Sequence, residues 1–187
     1  MDDAISTGTE FSVVPDRSVV LVSARSNVGP IEFGMTGLEG SVEVQINNDG
    51  MIDLRSSAAA QLALPMTGLR SGNQLYDAEL ARRIDSRRFP TSILELATGS
   101  QIPGTARYQL DGVLTFHGTR RHVQGSVEAA LDPRGRLVVD GEQVFDMRDF
   151  DVPVPTVLML RIYPDVRVQL HVEAELSAQP PATSPAS

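Results

Sequence analysis

The chain contains no cysteine, which removes disulfides, thiolate nucleophiles and the usual structural zinc sites. Long apolar runs are missing too. The longest, such as Val19–Val22, are a handful of residues, so nothing spans a bilayer as a helix. Basic residues are in deficit, with 16 Lys and Arg against 24 Asp and Glu and a net charge of −8. That field repels phosphate backbones and anionic lipid surfaces, which argues against a general nucleic-acid binder. The first residues, Met1-Asp2-Asp3-Ala4, are acidic where a signal peptide is basic, and no apolar stretch of about 7–15 residues follows. As it stands the sequence is expected to be cytoplasmic. What is present, 187 residues of which 41% are hydrophobic with mean hydropathy −0.08, suits one globular domain with a full core.

Three parts are expected. Residues 1–10 read as a flexible leader of acidic and small residues. Residues 177–187 form a Pro/Ser/Ala tail with nothing to bury. Residues 11–176 form one domain without an internal repeat.

That domain reads in period two. Leu38, Gly40, Val42, Val44 and Ile46 share one face of a strand, and Glu39, Ser41, Glu43 and Gln45 the other. From Ala106 to His117, Tyr108, Leu110, Leu114 and Phe116 form an apolar stripe opposite Gln109, Asp111 and Thr115. Val123, Gly125, Val127, Ala129 and Leu131 alternate with polar residues up to a turn at Asp132-Pro133-Arg134-Gly135. Val166, Val168, Leu170, Val172, Ala174 and Leu176 give the cleanest pattern. Weaker strands are expected near 11–14, 18–25, 51–54, 58–64, 92–97, 136–145 and 157–162, for roughly eight to ten strands after merging. One segment differs: in Ser71–Ser86, Tyr76, Leu80 and Ile84 recur at helical spacing, Glu79 can pair with Arg83, and Ser71 with Gln74 resembles a capping box. A short helix, closed by Phe89-Pro90, therefore interrupts the strands.

Fold class follows as all-β and antiparallel. Ala106–His117 would extend roughly 40 Å at ~3.3 Å per residue, and strands that long either stack as two sheets or close into a barrel without edges. A barrel of about eight strands has room for one small ligand. Gly40, Gly112 and Gly125, on the apolar face, would permit the bending that closure needs or leave free volume.

The segment Leu114-Thr115-Phe116-His117-Gly118-Thr119-Arg120-Arg121-His122-Val123 resembles the leucine-threonine-apolar-histidine-glycine segment of the YceI-like family. Asp16 and Ser18 before the first long strand, Asp77, Leu80, Asp85, Phe89 and Pro90 in the helical insert, and Phe145-Asp146-Met147-Arg148-Asp149-Phe150 fit the family's order over roughly 11–176. The resemblance implies a single lipocalin-like barrel with one short helical insertion, holding a long isoprenoid or related amphiphile. The chain departs from the family pattern at Ile84, where an aromatic is usual, and at Asp151, where glycine is usual, and the secretion signal of many relatives is not expected from its acidic first residues.

Tyr108, Leu110, Leu114, Phe116, Phe145, Phe150 and Leu160 are expected to line a ligand site. Arg82, Arg83, Arg87 and Arg88 form a basic island that would clamp an anionic head group, or else a solvated helix face paired with Glu79 and Asp85. His117, His122 and His171 fall on the polar face without a carboxylate cluster, so no metal site is expected. Arg148, Asp146 and Asp149 read as a salt-bridged group, and no Gly-x-Ser-x-Gly elbow exists. The leading expectation is a non-enzymatic carrier whose partner is a small apolar or amphiphilic lipid, isoprenoid or quinone-like, with no other cofactor. It binds no nucleic acid, is not an integral membrane protein, and is compatible with a homodimer. The alternatives are an enzyme folding or cyclising an apolar substrate, for which Tyr108 is the inward polar candidate, and a filled-core regulatory module.

Overall fold

Alternating burial along the chain turns the period-two sequence into strands that each face the interior with every second residue. The structure, a computed structural model, describes residues 8–47, 51–53, 59–154, 156–157 and 160–177. Its strands are β1 (Thr9–Val13), β2 (Val19–Ser26), β3 (Gly29–Met35), β4 (Glu39–Ile46), β5 (Ile52–Asp53), β6 (Ala59–Pro65), β7 (Thr91–Gln101), β8 (Arg107–Phe116), β9 (Thr119–Leu131), β10 (Leu137–Asp146), β11 (Thr156–Val157) and β12 (Leu160–Leu176). A helix, α1 (Gln74–Arg83), lies between β6 and β7. No described helix is long and apolar enough to cross a membrane.

All pairings are antiparallel. The sheet runs β1-β4-β6-β7-β8-β9-β10-β12, and β12 returns to β1 through Phe11↔Leu176 and Val13↔Ala174, which closes it. β2 and β3 continue β1 and β4 rather than adding staves. A 3-10 turn at Pro15–Arg17 kinks the first strand, Val20↔Met35 follows Phe11↔Val42, and an isolated bridge Gly34↔Arg70 carries the β6 side along β3. Counted so, the molecule is the all-β, lipocalin-like barrel of eight antiparallel staves expected from the sequence. Closure removes the exposed edges that long strands would otherwise present.

Several boundaries differ from the sequence reading. β1 begins at Thr9, inside the stretch read as leader, because Thr9 and Glu10 pair with Val44 and Glu43. Ser177, read as tail, donates its N–H to the Glu10 carbonyl at 2.9 Å. The rest of the leader and tail, 1–7 and 178–187, lies outside the described residues. β3 was not anticipated; Gly29-Pro30 resembles turn punctuation, yet Pro30 sits at the strand start, where a missing N–H is tolerated. The helix is shorter than Ser71–Ser86. Asn73 caps it, accepting from the N–H groups of Leu75 and Tyr76, while the Ser71 hydroxyl goes to Asp77.

The glycines on the apolar face divide by role. A Cβ on Gly40 would lie 1.9 Å from the Gln61 carbonyl oxygen, and one on Gly112 2.4 Å from that of Glu95, so both serve close strand approach. A Cβ on Gly125 would meet only the Gln143 Oε1 within 4 Å, at 3.8 Å.

Candidate ligand-binding cavity

The interior is two packed clusters with a hollow between them. Around α1, Ile84, Leu38, Met66, Phe33, Val152 and Phe150 pack together. At the opposite end Phe11, Val44, Ile52, Tyr108, Leu137 and Ala174 form a second cluster. β5 belongs to that plug: Ile52 is buried, and its carbonyl accepts a hydrogen bond from the Tyr108 hydroxyl at 2.9 Å.

The hollow has a volume of about 150 Å³. Alternate residues of seven staves reach it, represented by Val42 on β4, Leu62 on β6, Leu96 on β7, Leu110 on β8, Val127 on β9, Val139 on β10 and Leu170 on β12. The lining is almost wholly apolar. Water there would find few of the two to four polar partners it needs, so the space favours an apolar occupant.

One side of the hollow meets a break in the wall. The β9–β10 ladder runs from Leu131↔Leu137 to Ser126↔Glu142 and stops. Beyond that point β9 pairs with β8 as far as Thr119, and β10 pairs with β12 as far as Asp146. Val123 and Gly125 on one lip, and Gln143 and Phe145 on the other, line the cavity. A 3-10 turn at Met147–Phe150 crosses below the break. It is tied to the β9 side by Arg121 Nε donating to the Asp149 carbonyl at 2.7 Å, and by the Thr119 hydroxyl donating to Asp151 at 3.0 Å. His117 Nδ1 also lies 3.1 Å from the Phe150 carbonyl. Asp151 adopts left-handed φ of 56°, a conformation that Asp enters more easily than most residues.

Of the residues singled out from sequence, Leu110 and Phe145 line the hollow. Leu114, Phe116 and Phe150 pack in the cluster near α1, where Phe150 meets Phe116 edge-on at 5.6 Å between ring centroids. Tyr108 is buried in the opposite plug. Leu160, half-buried at the start of β12, belongs to neither cluster nor to the lining. Arg82 and Arg83 both bind Glu79, and the Arg88 guanidinium lies over the Phe89 ring at 5.1 Å. The four arginines are absent from the cavity lining. His122 lies 3.7 Å from Asp111, and His171 is 2.7 Å from Asp140.

Sequence reasoning missed much of the lining on β4, β6, β7 and β10. Period two was the available signal there, since Leu62, Leu94, Leu96 and Val139 occupy alternate positions in strands that had been assigned. It also missed Gln143, which falls on the same face of β10 as Leu137, Val139, Gly141 and Phe145.

Groups with displaced pKa values stand away from the hollow. The hydroxyl and N–H of Ser71 hold Asp77 below the ordinary carboxylate range, and the guanidinium of Arg83 does the same for Glu79. Asp132 is held low chiefly by the Arg136 backbone N–H, and Asp146 by the Arg148 guanidinium. None of these four carboxylates lines the cavity.

A sequence profile described as YceI-like domain matches residues 11–174. No curated protein sequence matches the chain. Among solved structures, BcnA of Burkholderia cenocepacia superposes with a TM-score of 0.72 at 17% identity, covering 87% of this chain and 99% of that one. A polyisoprenoid binding domain from Saccharophagus degradans, described as implicated in plant cell wall breakdown, gives 0.69 at 10% identity, with 89% and 98% covered. A YceI protein of Campylobacter jejuni gives 0.63 at 13% identity, with 79% and 86% covered. At these identities the likeness is one of fold.

Proposed function

The chain belongs to the YceI-like domain family, and we propose that it is a binding protein that carries a long apolar lipid of isoprenoid or quinone type inside its barrel. The observation that carries this reading is the apolar hollow between the two packed clusters. A void of about 150 Å³ forfeits dispersion contacts along its whole lining, and an apolar occupant restores them. The polyisoprenoid binding domain of similar fold supports the choice of ligand class.

As it stands the hollow suits a body about the size of one small ring, so a longer chain needs more room. Leu94, Val139, Phe145, Val168 and Leu170 around it are only partly buried, so a longer ligand makes its room by rearranging side chains at the margin of the core. Binding is favoured over catalysis because the inward polar candidate, Tyr108, spends its hydroxyl on the Ile52 carbonyl. Gentle purification from the native host, solvent extraction and mass spectrometry test the proposal. One long apolar compound at near-stoichiometric amount is expected; protein that is consistently free of lipid would defeat it.

A further inference from the structure

The break between β9 and β10 has chemistry unlike the rest of the wall. On β10 the inward sequence Leu137, Val139, Gly141, Gln143, Phe145 holds one amide among apolar groups, and Gln143 stands opposite Val168 of β12. Packed β-structure rarely points an amide at an apolar space, because its polar atoms then lose water without a partner. Here the missing ladder leaves Gln143 exposed. Among the described residues its amide nitrogen reaches the Val144 carbonyl at a long 3.4 Å. Its Oε1 extends toward Gly125 on the opposite lip, 3.8 Å from where a Cβ would stand. A side chain at position 125 would narrow this passage, and glycine leaves it clear.

Resting on the lipid-binding reading above, we propose that this lateral slot is the head-group subsite and entrance of the cavity. An isoprenoid lipid with an uncharged hydrogen-bonding head, a hydroxyl or a quinone carbonyl, seats its head on the Gln143 amide and its tail in the hollow. The amide both donates and accepts, so either head finds a complement. Charge selects against a phosphate head. Glu142, Asp146 and Asp149 border the slot, and the cations nearest it are engaged, Arg167 with Glu142 at 3.3 Å, Arg148 with Asp146, and Arg121 with the Asp149 carbonyl. The net charge of −8 adds to that repulsion.

The test titrates the full chain with three C15 probes: farnesol, farnesyl diphosphate and the hydrocarbon farnesane. Wild type should bind farnesol most tightly. Gln143→Leu should narrow the farnesol-to-farnesane affinity ratio by about three- to tenfold, the worth of one hydrogen bond, with farnesane affinity within about twofold of wild type. Gly125→Phe should slow farnesane uptake about tenfold or more by obstructing the slot. Circular dichroism confirms that both variants fold. An unchanged ratio in Gln143→Leu, unchanged uptake in folded Gly125→Phe, or a wild-type preference for the diphosphate would overturn the slot as head-group site and entrance while leaving lipid binding intact. Failure of wild type to bind farnesane or farnesol would defeat the binding reading, and this inference with it.

Discussion

The Tyr108 hydroxyl donates to the Ile52 carbonyl across 2.9 Å, joining β8 to the short β5 that plugs one end of the barrel. Both residues are buried, so the carbonyl has little access to replacement water. Tyr108→Phe should therefore lower stability by about 1–3 kcal/mol, as expected when one partner of a buried hydrogen bond is removed. Because the hydroxyl is turned toward β5, lipid content should be retained. Denaturant unfolding together with lipid extraction measures both effects.

Adjacent residues on β8 should differ sharply in their tolerance of charge. Leu110 is buried on the cavity face, whereas Gln109 points the other way. Leu110→Glu places a carboxylate in an apolar space, where it must protonate or draw in water at a cost of several kcal/mol. Gln109→Glu should stay within about 0.5 kcal/mol of wild type. Binding of an apolar dye, with circular dichroism on the same samples, should separate the two.

Two of the inward glycines, Gly112 and Gly125, make a second contrast. Gly112→Ala forces a methyl against the Glu95 carbonyl oxygen, 2.4 Å away, and should cost about 1–3 kcal/mol or more. Gly125→Ala meets nothing closer than 3.8 Å and should be neutral or slightly stabilising, by roughly 0.5 kcal/mol. Equal losses in the two variants would contradict the strand spacing.

How far the sequence could be read follows from which interactions are local. β4, β8, β9 and β12 were legible because a single-layer barrel wall has an inside and an outside, and alternation records both. β3 was not, since Gly29-Pro30 signals a turn as readily as a strand beginning. The helix cap falls at Asn73 rather than at Ser71, because the Ser71 hydroxyl is spent on Asp77 six residues on. Likewise, the resemblance carried the closed barrel, whereas period two alone allowed a sandwich. The partner of Tyr108 lies 56 residues away, and the end of the β9–β10 ladder depends on how two strands diverge in space. Neither leaves a local pattern. Gln143 was legible as an inward position once β10 was assigned, but its meaning came from the missing neighbour.

Stability should also depend on acid in a definite direction. Asp77, Glu79, Asp132 and Asp146 all titrate below ordinary carboxylates in the folded chain, owing to the hydrogen bonds from Ser71, Arg83, Arg136 and Arg148. A depressed folded pKa contributes stability that is complete above the unfolded value, near pH 4, and is lost as pH falls through the folded one. Melting temperature should thus drop between about pH 5 and pH 2, and Asp132→Asn should show a shallower drop. A chain that gains stability over that interval would contradict the ion-pair geometry.

Methyl NMR during addition of a long isoprenoid alcohol asks directly where the ligand sits. Leu96, Val139 and Leu170 line the hollow, whereas Leu21 and Leu75 are exposed on the outside. The barrel-interior account predicts large shifts for the first three methyl sets and little change for the other two, saturating near one ligand per chain. Shifts confined to Leu21 and Leu75, or none at saturating alcohol, would contradict it.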